Sequence, residues 1–283
     1  GTNQRGIMKR LLVLGCAFVL ALALSGTAGA AGVKLNYYKA TVSQDVYRDL
    51  LAKGTDIAAA TEAAKGVQLQ MVLTPSQVTS LRKQGVNVSL LRNSKGQTAR
   101  QAAAAQLSSG FEVWRDYDGA DGLRAYLYDL ARRNPQLTKL EVLGHTDKGR
   151  EIIALKLTQS AREVPDGTRP AVLYSSAQHA REWISPEVNR RLLAYFITQW
   201  RANNKAIKDL LKENELWFVL VANPDGYQYT FQSPDTRLWR KNLRDNNGNG
   251  TTEVGDGVDP NRNYPEHWNY DNEGSSGVQS SDT

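Results

Sequence analysis

The residues best suited to chemistry in this sequence are an imidazole and a carboxylate three positions apart, His179 and Glu182. Side chains of these two types can turn toward one point and offer a divalent metal one nitrogen and one or two oxygens. The apolar segment before them, residues 171–175, predicts a short buried strand, and ligands of open α/β sheets gather beyond the carboxyl ends of strands. Taken alone, the H-x-x-E pattern also fits a chance pair on a helical turn.

Four stretches, the first of which contains the pair, give it a context. In chain order they are HAREWIS at residues 179–185, NPDGY at 223–227, RLWRKN at 237–242 and GVDPNRNY at 257–264. Together they resemble the zinc metallocarboxypeptidases of the carboxypeptidase A type, and DKGREI at 147–152 is similar to a hairpin of that family. The resemblance covers residues 111–283. It implies a precursor enzyme that hydrolyses C-terminal peptide bonds of peptides and proteins with a zinc-activated water.

The resemblance also implies a role for particular side chains. His179 and Glu182 are implied zinc ligands, and Arg240 is implied to polarise the scissile carbonyl and stabilise the oxyanion, where a fixed cation is most useful. The residues implied to bind substrate are Asn261 and Arg262, at the terminal carboxylate, and Arg181, as an accessory contact. A planar guanidinium binds a carboxylate through two hydrogen bonds and so selects a free C-terminus. Without the family context, Arg240 would fit an exposed cation and Arg262 a structural ion pair.

The family pattern requires a third zinc ligand and a glutamate general base later in the chain. His145 precedes the implied ligands in chain order, and His267 follows Arg262 by five residues in a segment typical of a surface turn. Neither fits the third ligand. We therefore expect the sequence to be a C-terminally truncated part of a longer enzyme, with little zinc affinity or turnover of its own and without the residue that sets side-chain specificity.

A second metal site is predicted at residues 245–256, which fit D-x-N-x-N-G-x₅-D, an EF-hand-like loop with Asp at its twelfth position. Gly250 stands where such a loop turns sharply. The expected calcium ligands are the side chains of Asp245, Asn247, Asn249 and Asp256 and the backbone carbonyl of Thr251. A flexible Asn/Gly insertion without a cation is the alternative, because no flanking helices are evident.

The elements that must position these residues alternate between strands and helices. They are a helix capped by Asp121 and ended by Asn134-Pro135, strands at 140–143 and 152–157 joined by a turn at 147–150, the strand at 171–175, helices from Pro186 to about Trp200 and at about 206–211, and a strand at 216–222. Residues 223–226 are typical of a tight turn without chemistry. This pattern predicts an α/β fold, a mixed central sheet with helices on both faces, incomplete relative to the family it resembles.

A smaller α+β unit is predicted ahead of that domain, over residues 33–92. Its pattern gives strands at 37–42, 67–73 and 86–91, a helix at 45–51 and a second helix opened by Thr74-Pro75. In placement and element order it resembles the prosegments of secreted members of the family; an independent module is the alternative. Residues 93–110, rich in Ser, Gln, Ala and Gly, are predicted to be a partly helical linker, open to proteases around Arg100.

The chain start indicates export. Met8-Lys9-Arg10 precedes an apolar run at 11–24 and small residues near Ala30, the parts of a signal peptide within residues 1–30. The run is shorter than the roughly 20 residues that span a bilayer. We expect a secreted, extracellular protein with no membrane anchor in its mature form. Its single cysteine, Cys16, lies in the leader, so the mature chain has no internal disulfide.

Charge argues against a nucleic-acid partner. The net charge of +6 divides into +3 for residues 1–32, +6 for 33–110 and −3 for 111–283. The larger domain is therefore mildly acidic, unlike a protein that binds a phosphate backbone. We expect a monomer. The alternatives to a carboxypeptidase are a cell-wall peptide hydrolase or amidase on the same scaffold, and a non-catalytic, calcium-stabilised secreted binding module.

Overall fold

The structure, a computed structural model, describes residues 33–111, 113–266 and 268. The predicted signal region at residues 1–30, and His267, lie outside the described residues. Two four-stranded sheets organise the described part, one ahead of the linker and one after it. We call residues 33–92 the front unit and residues 111–268 the main domain.

The front unit is an antiparallel sheet with two helices. Its elements are β1 (Asn36–Val42), α1 (Gln44–Ala52), β2 (Ile57–Ala63), β3 (Gly66–Leu73), α2 (Pro75–Lys83) and β4 (Ser89–Leu90), with the strands in the order β2-β3-β1-β4. The alternating residues Val67, Leu69 and Met71 of β3 are buried, and they share an apolar cluster with Leu50 of α1 and Leu81 of α2. The helices therefore cover one face of this sheet.

Two predictions for the front unit were wrong. The sequence pattern missed β2, because its segment IAAATEA has no apolar alternation and lies almost wholly exposed at the sheet edge. The last strand has two residues rather than the predicted 86–91. The element order is therefore βαββαβ. The predicted start of α2 is confirmed: Thr74 and Gln77 form a capping box, and Pro75 occupies the first turn.

The linker contains a regular helix, α3 (Ala99–Ser109). A second capping box, between Thr98 and Gln101, fixes its start, and Ala103 is buried. Arg100 lies in the first turn and forms an ion pair with Asp235 of the main domain. The segment around Arg100 is thus helical and anchored, which contradicts the predicted protease-open stretch there.

The main domain is built on a mixed sheet, as predicted. Its elements are α4 (Leu123–Arg133), β5 (Thr138–His145), β6 (Glu151–Leu157), β7 (Ala171–Ser175), α5 (Ile184–Arg201), α6 (Lys205–Glu213), β8 (Glu215–Val219), α7 (Pro224–Tyr229) and a 3₁₀ helix (Pro260–Arg262). The strand order is β5-β6-β8-β7, in which β6 is antiparallel to β5 and β8, and β7 is parallel to β8. The β7–β8 pair is the parallel connection that the helices between them require.

One apolar core holds this sheet and its helices together. Leu155 of β6 and Phe218 of β8 are fully buried, and they share a cluster with Leu127 of α4, Leu193 of α5 and Leu211 of α6. Burial of this continuous apolar surface is the main source of stability for a domain of this kind. The core lies beneath the ends of β7 and β8, from which the candidate site residues emerge.

Four local predictions in the main domain were wrong. The strand at 171–175 was predicted to be buried, but β7 comes last in the strand order and four of its five residues are exposed. Gly122, not Asp121, is the N-cap of α4, and the first helical N–H groups donate to the backbone carbonyls of Asp116 and Tyr117 instead of to a side chain. The strand predicted at 216–222 ends at Val219. Residues 223–226 open a helix, α7, rather than a tight turn, because Asn223 accepts from the N–H of Gly226 as an N-cap.

A buried lysine pins the loop between β6 and β7. The ammonium of Lys156 donates to Asp166 at 2.7 Å and to the carbonyl of Val164 at 2.9 Å, and it lies 3.2 Å from Glu215. Lys156 and Glu215 are both fully buried. Since a buried ammonium needs both opposite charge and hydrogen-bond acceptors, these contacts fix the loop against the sheet.

Candidate active site

Three of the sequence motifs meet beyond the end of β7. The N–H of Ala180 donates to the carbonyl of Arg240 at 2.8 Å, which joins the first and third motifs through the backbone. The Nδ2 of Asn223 donates to the carbonyl of Gln178 at 3.1 Å and to that of Lys241 at 3.0 Å. Asn223 therefore ties the second motif to the other two. Its role is positional, as the sequence predicted for residues 223–226.

His179 and Glu182 face each other as expected for two ligands of one cation. The Nδ1 of His179 lies 2.7 Å from Oε1 of Glu182. The N–H of Glu182 donates to the carbonyl of His179 in a turn that leads into α5. His179 is largely buried, whereas the carboxylate of Glu182 is half exposed. A neutral imidazole nitrogen and a carboxylate are donors that zinc prefers, so this pair fits two positions of a zinc site.

A third residue, the acidic Asp259, joins this pair to Arg240. The fully buried carboxylate of Asp259 accepts from Nε of Arg240 at 2.6 Å, and its other oxygen lies 3.3 Å from Nε2 of His179. The same carboxylate caps the 3₁₀ helix by accepting from the N–H of Asn261 at 2.8 Å. One buried side chain thus lies against the imidazole, holds the implied oxyanion-binding cation and caps the turn that carries Asn261 and Arg262.

The charges of this group stabilise one another. Burial raises the pKa of Asp259, but the contacts with His179 and Arg240 outweigh it and lower that pKa to about 2. Burial likewise opposes the charged form of His179, and its contacts with Asp259 and Glu182 raise its pKa above the ordinary value. The contact with His179 lowers the pKa of Glu182. Each shift follows from opposite charges a few ångströms apart in a partly dry site.

The arginines implied to bind substrate surround two adjoining cavities. One has a volume of about 340 Å³ and is lined by Arg181, Glu182 and Arg240. The other, of about 130 Å³, is lined by Arg240 and Arg262. The structure therefore brings Arg262, implied to bind the terminal carboxylate, and Arg181, the implied accessory contact, to the cavities that Arg240 shares. Asn261 lies in the same 3₁₀ helix as Arg262.

Front-unit residues form the other wall of both cavities. Asp56, in the loop between α1 and β2, accepts from Nη2 of Arg181 at 2.8 Å and also contacts its Nη1. Ile57 lines both cavities. Val33, Leu35 and Val72 of the front unit share an apolar cluster with main-domain residues, including Leu238 and Trp239, beside Arg240. The front unit therefore covers the site at its cationic rim.

Sequence reasoning missed two residues of the site. Asp259 carried one local signal, an acid directly before Pro260 that is typical of a helix cap, but its contacts depend on loops distant in the chain. Arg237 lies three positions before Arg240, lines the larger cavity and places its guanidinium 3.5 Å from the ring centre of Trp183. Burial lowers the pKa of Arg237 to about 10.

The predicted calcium loop, residues 245–256, is held by hydrogen bonds among its own residues. Asp245 accepts from the N–H groups of Gly248 and Gly250 at 2.7 Å each. Asp256, which is buried, accepts from the N–H groups of Asn246 and Glu253. The side chains of Asn247 and Asn249 donate to Glu253, and both the N–H and the hydroxyl of Thr251 donate to Asn249. The carboxylate oxygens of Asp245 and Asp256 thus accept hydrogen bonds from neighbouring N–H groups. This arrangement does not support the calcium prediction.

The described residues contain no group of three or more His, Cys, Asp or Glu side chains placed to hold a metal ion. The implied zinc site is therefore present here as its two-donor part, His179 and Glu182. His145 ends β5 and lines a different cleft, together with Asp147 and Asp225.

A family comparison decides the classification. The sequence profile described as zinc carboxypeptidase matches residues 123–283, more than half of the chain. The chain belongs to the zinc carboxypeptidase family. The resemblance drawn from the four motifs is confirmed, and the matched range includes all of the implied site residues.

Curated relatives carry the same description. Zinc carboxypeptidase A 1 of Drosophila melanogaster is 36% identical over 159 residues, which cover 55% of this chain and 34% of that protein. The zinc carboxypeptidase of Saccharothrix mutabilis subsp. capreolus is 28% identical over 276 residues, 92% of this chain and 60% of that protein. The chain thus spans about a third to three fifths of the length of these relatives.

Solved structures confirm the fold. Carboxypeptidase A from Helicoverpa armigera matches with a TM-score of 0.61 at 22% identity, over 89% of this chain and 62% of that one. Thrombin activatable fibrinolysis inhibitor matches with a TM-score of 0.58 at 19% identity, over 83% and 60%. Both matches extend well beyond the family range into the front part of the chain. Among the described residues, no helix is long and apolar enough to cross a bilayer.

Proposed function

We propose that this chain is the front part of a secreted zinc metallocarboxypeptidase precursor, which hydrolyses the last peptide bond of peptides and proteins with a free C-terminus. The observation that supports the proposal most strongly is that His179 and Arg240 both contact Asp259. This carboxylate links the implied zinc ligand His179 to the implied oxyanion residue Arg240, beside cavities lined by Arg181 and Arg262. A third ligand and a general base belong to the family pattern and are not supplied by the described residues.

Each described site residue has a defined task in this proposal. Asp259 holds Nε2 of His179, which leaves Nδ1 directed at Glu182 and available to a metal. Zinc held there by His179 and Glu182 would supply a Lewis acid and would lower the pKa of a bound water. Asp259 engages Arg240 only through Nε, so the outer N–H groups of that guanidinium are free to donate to a carbonyl oxygen as it gains charge. Asn261 and Arg262 bind the substrate carboxylate, and Arg181 is an accessory contact.

The front unit acts as a prosegment in this proposal. Asp56 places a carboxylate on Arg181, the kind of group that a peptide C-terminus would bring to the same guanidinium. Residues 33–110 carry +6 and residues 111–283 carry −3, so the two parts also attract each other at long range. While the front unit is bound, it covers both cavities and occupies one arginine of the substrate site.

The proposal is tested with the full-length gene product and a pair of matched peptides, one with a free C-terminal carboxylate and one amidated. We expect release of the last residue from the free acid alone, because the arginines select a carboxylate. Equal hydrolysis of both peptides would favour the amidase or cell-wall peptide hydrolase. Release from neither peptide by zinc-loaded protein, with the front unit removed, would favour the non-catalytic binding module, to which the 245–256 loop contacts give no support.

A further inference from the structure

The segment that carries both implied zinc ligands begins at a strained residue. We call residues 177–182, between β7 and α5, the ligand loop. Its first residue, Ala177, has a φ of 50°, in the left-handed region that residues other than glycine rarely adopt. Ala177 is buried, and His179 follows it by two positions. The path of the chain from β7 to the imidazole therefore depends on a conformation that alanine does not favour.

Two hydrogen bonds hold Ala177 in this conformation. Its N–H donates to the hydroxyl oxygen of Ser185 at 3.1 Å, and its carbonyl accepts from the backbone N–H of Asn223 at 3.2 Å. Only the first of these bonds depends on a side chain. Because a buried N–H without an acceptor is costly, removal of the Ser185 hydroxyl takes away one of the two contacts that offset the strain.

The same hydroxyl also binds the other end of the ligand loop. It donates to the carbonyl of Glu182 at 2.9 Å, and the N–H of Ser185 donates to that carbonyl at 3.1 Å. One hydroxyl therefore connects the first residue of the ligand loop to the last, which is itself an implied ligand. Ser185 is the final residue of the HAREWIS motif and lines neither of the two cavities at the site.

The middle of the ligand loop is held by contacts that do not involve Ser185. The N–H of Ala180 donates to the carbonyl of Arg240, and Nη1 of Arg237 donates to the carbonyl of Arg181 at 2.9 Å. Both contacts join the ligand loop to the 237–242 motif. Loss of the Ser185 hydroxyl should therefore release the two ends of the ligand loop while the main domain stays folded.

We infer that Ser185 is a positioning residue for both implied zinc ligands. Its hydroxyl holds Ala177 in the left-handed conformation from which the chain reaches His179, and it holds the backbone of Glu182. Groups behind the ligands of a metal commonly set their orientation without touching the metal. Since glycine adopts the left-handed conformation without strain, Ala177→Gly should make the hydroxyl dispensable at that end. The inference rests on the proposed function for the identity of the metal.

Zinc affinity of the full-length protein, measured by competition with a chromogenic chelator, tests the inference. Ser185→Ala should lower the affinity about tenfold, and Ser185→Thr, which keeps the hydroxyl, should retain it. Addition of Ala177→Gly to Ser185→Ala should recover most of the loss. The matched control Ser43→Ala removes a hydroxyl that also accepts a backbone N–H, that of Val46 in α1, and should change nothing. Circular dichroism confirms that each variant is folded.

Unaltered zinc affinity in folded Ser185→Ala would overturn the inference. So would a loss that Ser185→Thr shares, or one that Ala177→Gly does not reduce. Hydrogen exchange of the unaltered protein gives a second measurement that does not depend on the folding of any variant. The Ala177 amide should exchange slowly because Ser185 accepts from it, and rapid exchange would also overturn the inference.

The result is separable from the proposed function, because peptidase activity is not a readout. Zinc binding with the expected order of variants, but without release of a C-terminal residue, would refute the proposed function and leave the role of Ser185 standing. Release of the C-terminal residue together with unaltered zinc affinity in Ser185→Ala would refute the role of Ser185 alone.

Discussion

Two arginine–aspartate pairs lie at the site, and they belong to different parts of the molecule. Asp259 and Arg240 are both in the main domain, and this carboxylate is fully buried. Asp56 and Arg181 join the front unit to the main domain, and the Asp56 side chain is 18% exposed. The inner pair also contacts His179, whereas the outer pair occupies a guanidinium at the rim.

This difference in burial suggests different tasks under the proposed function: the inner pair holds the site together, and the outer pair controls access to it. Removal of either inner partner leaves a charge in a dry site with nothing to replace it, which is costly. The outer pair can part, because a substrate carboxylate or water can take the place of Asp56 on Arg181. Under the proposed function, the inner pair is needed in every state of the protein and the outer pair only while the front unit is bound.

Breaking the inner pair at the arginine should have the largest effect on catalysis. In the full-length protein, Arg240→Ala should lower kcat about 100- to 1000-fold, the usual loss when one oxyanion donor is removed. Steady-state kinetics on a free-acid peptide measure this, with Arg244→Ala as the matched control, since Arg244 lies four positions later and outside both cavities. An unchanged kcat would show that Arg240 does not act on the carbonyl.

Breaking the same pair at the carboxylate should act through the metal. Asp259→Asn keeps the shape but removes the charge beside His179, and we expect zinc affinity to fall about 10- to 100-fold. Competition with a chromogenic chelator measures the affinity, and circular dichroism confirms that the variant is folded. A folded variant with unaltered zinc affinity would contradict the positioning role of Asp259.

Breaking the outer pair should raise activity instead of lowering it. In the unprocessed full-length protein, Asp56→Asn should raise kcat/KM about tenfold, equivalent to ~1.4 kcal/mol, because the front unit binds less tightly and Arg181 becomes available. Asp45→Asn, an exposed acid of α1, is the matched control and should change nothing. Equal activity of the Asp56 variant and the unaltered chain would show that Asp56 does not contribute to inhibition by the front unit.

The smallest effect is expected at the 245–256 loop, away from both pairs. Because Asp245 and Asp256 already accept from backbone N–H groups, calcium and a calcium chelator should give the same protease sensitivity there. Mass spectrometry of a timed digest measures it. Clear protection by calcium would restore the calcium site that the spacing of this loop predicts.

Local signals predicted the elements that depend on local chemistry. The strand at 171–175 has the bounds of β7, and Thr74-Pro75 marks the start of α2. These bounds were predictable because a run of strand-forming residues and helix capping are short-range effects, although the predicted burial of β7 was wrong. The spacing of His179 and Glu182 likewise predicted a pair that the structure brings within 2.7 Å.

Contacts between distant segments could not be predicted in this way. Asp259 is 80 positions from His179 in the sequence, and Asp56 is 125 positions from Arg181. The local pattern of Asp259 indicates only a helix cap before Pro260, and that of Asp56 does not differ from an ordinary surface aspartate. The alanine-rich β2 was missed for a related reason, because its pairing with β3, not its own side chains, makes it a strand.

Zinc content of the full-length protein tests the central claim most directly. Purified protein should carry one zinc per chain after dialysis against metal-free buffer, His179→Gln should lose it, and the matched variant His145→Gln should keep it. Retention of zinc by His179→Gln, or its loss from His145→Gln, would contradict the placement of the metal between His179 and Glu182.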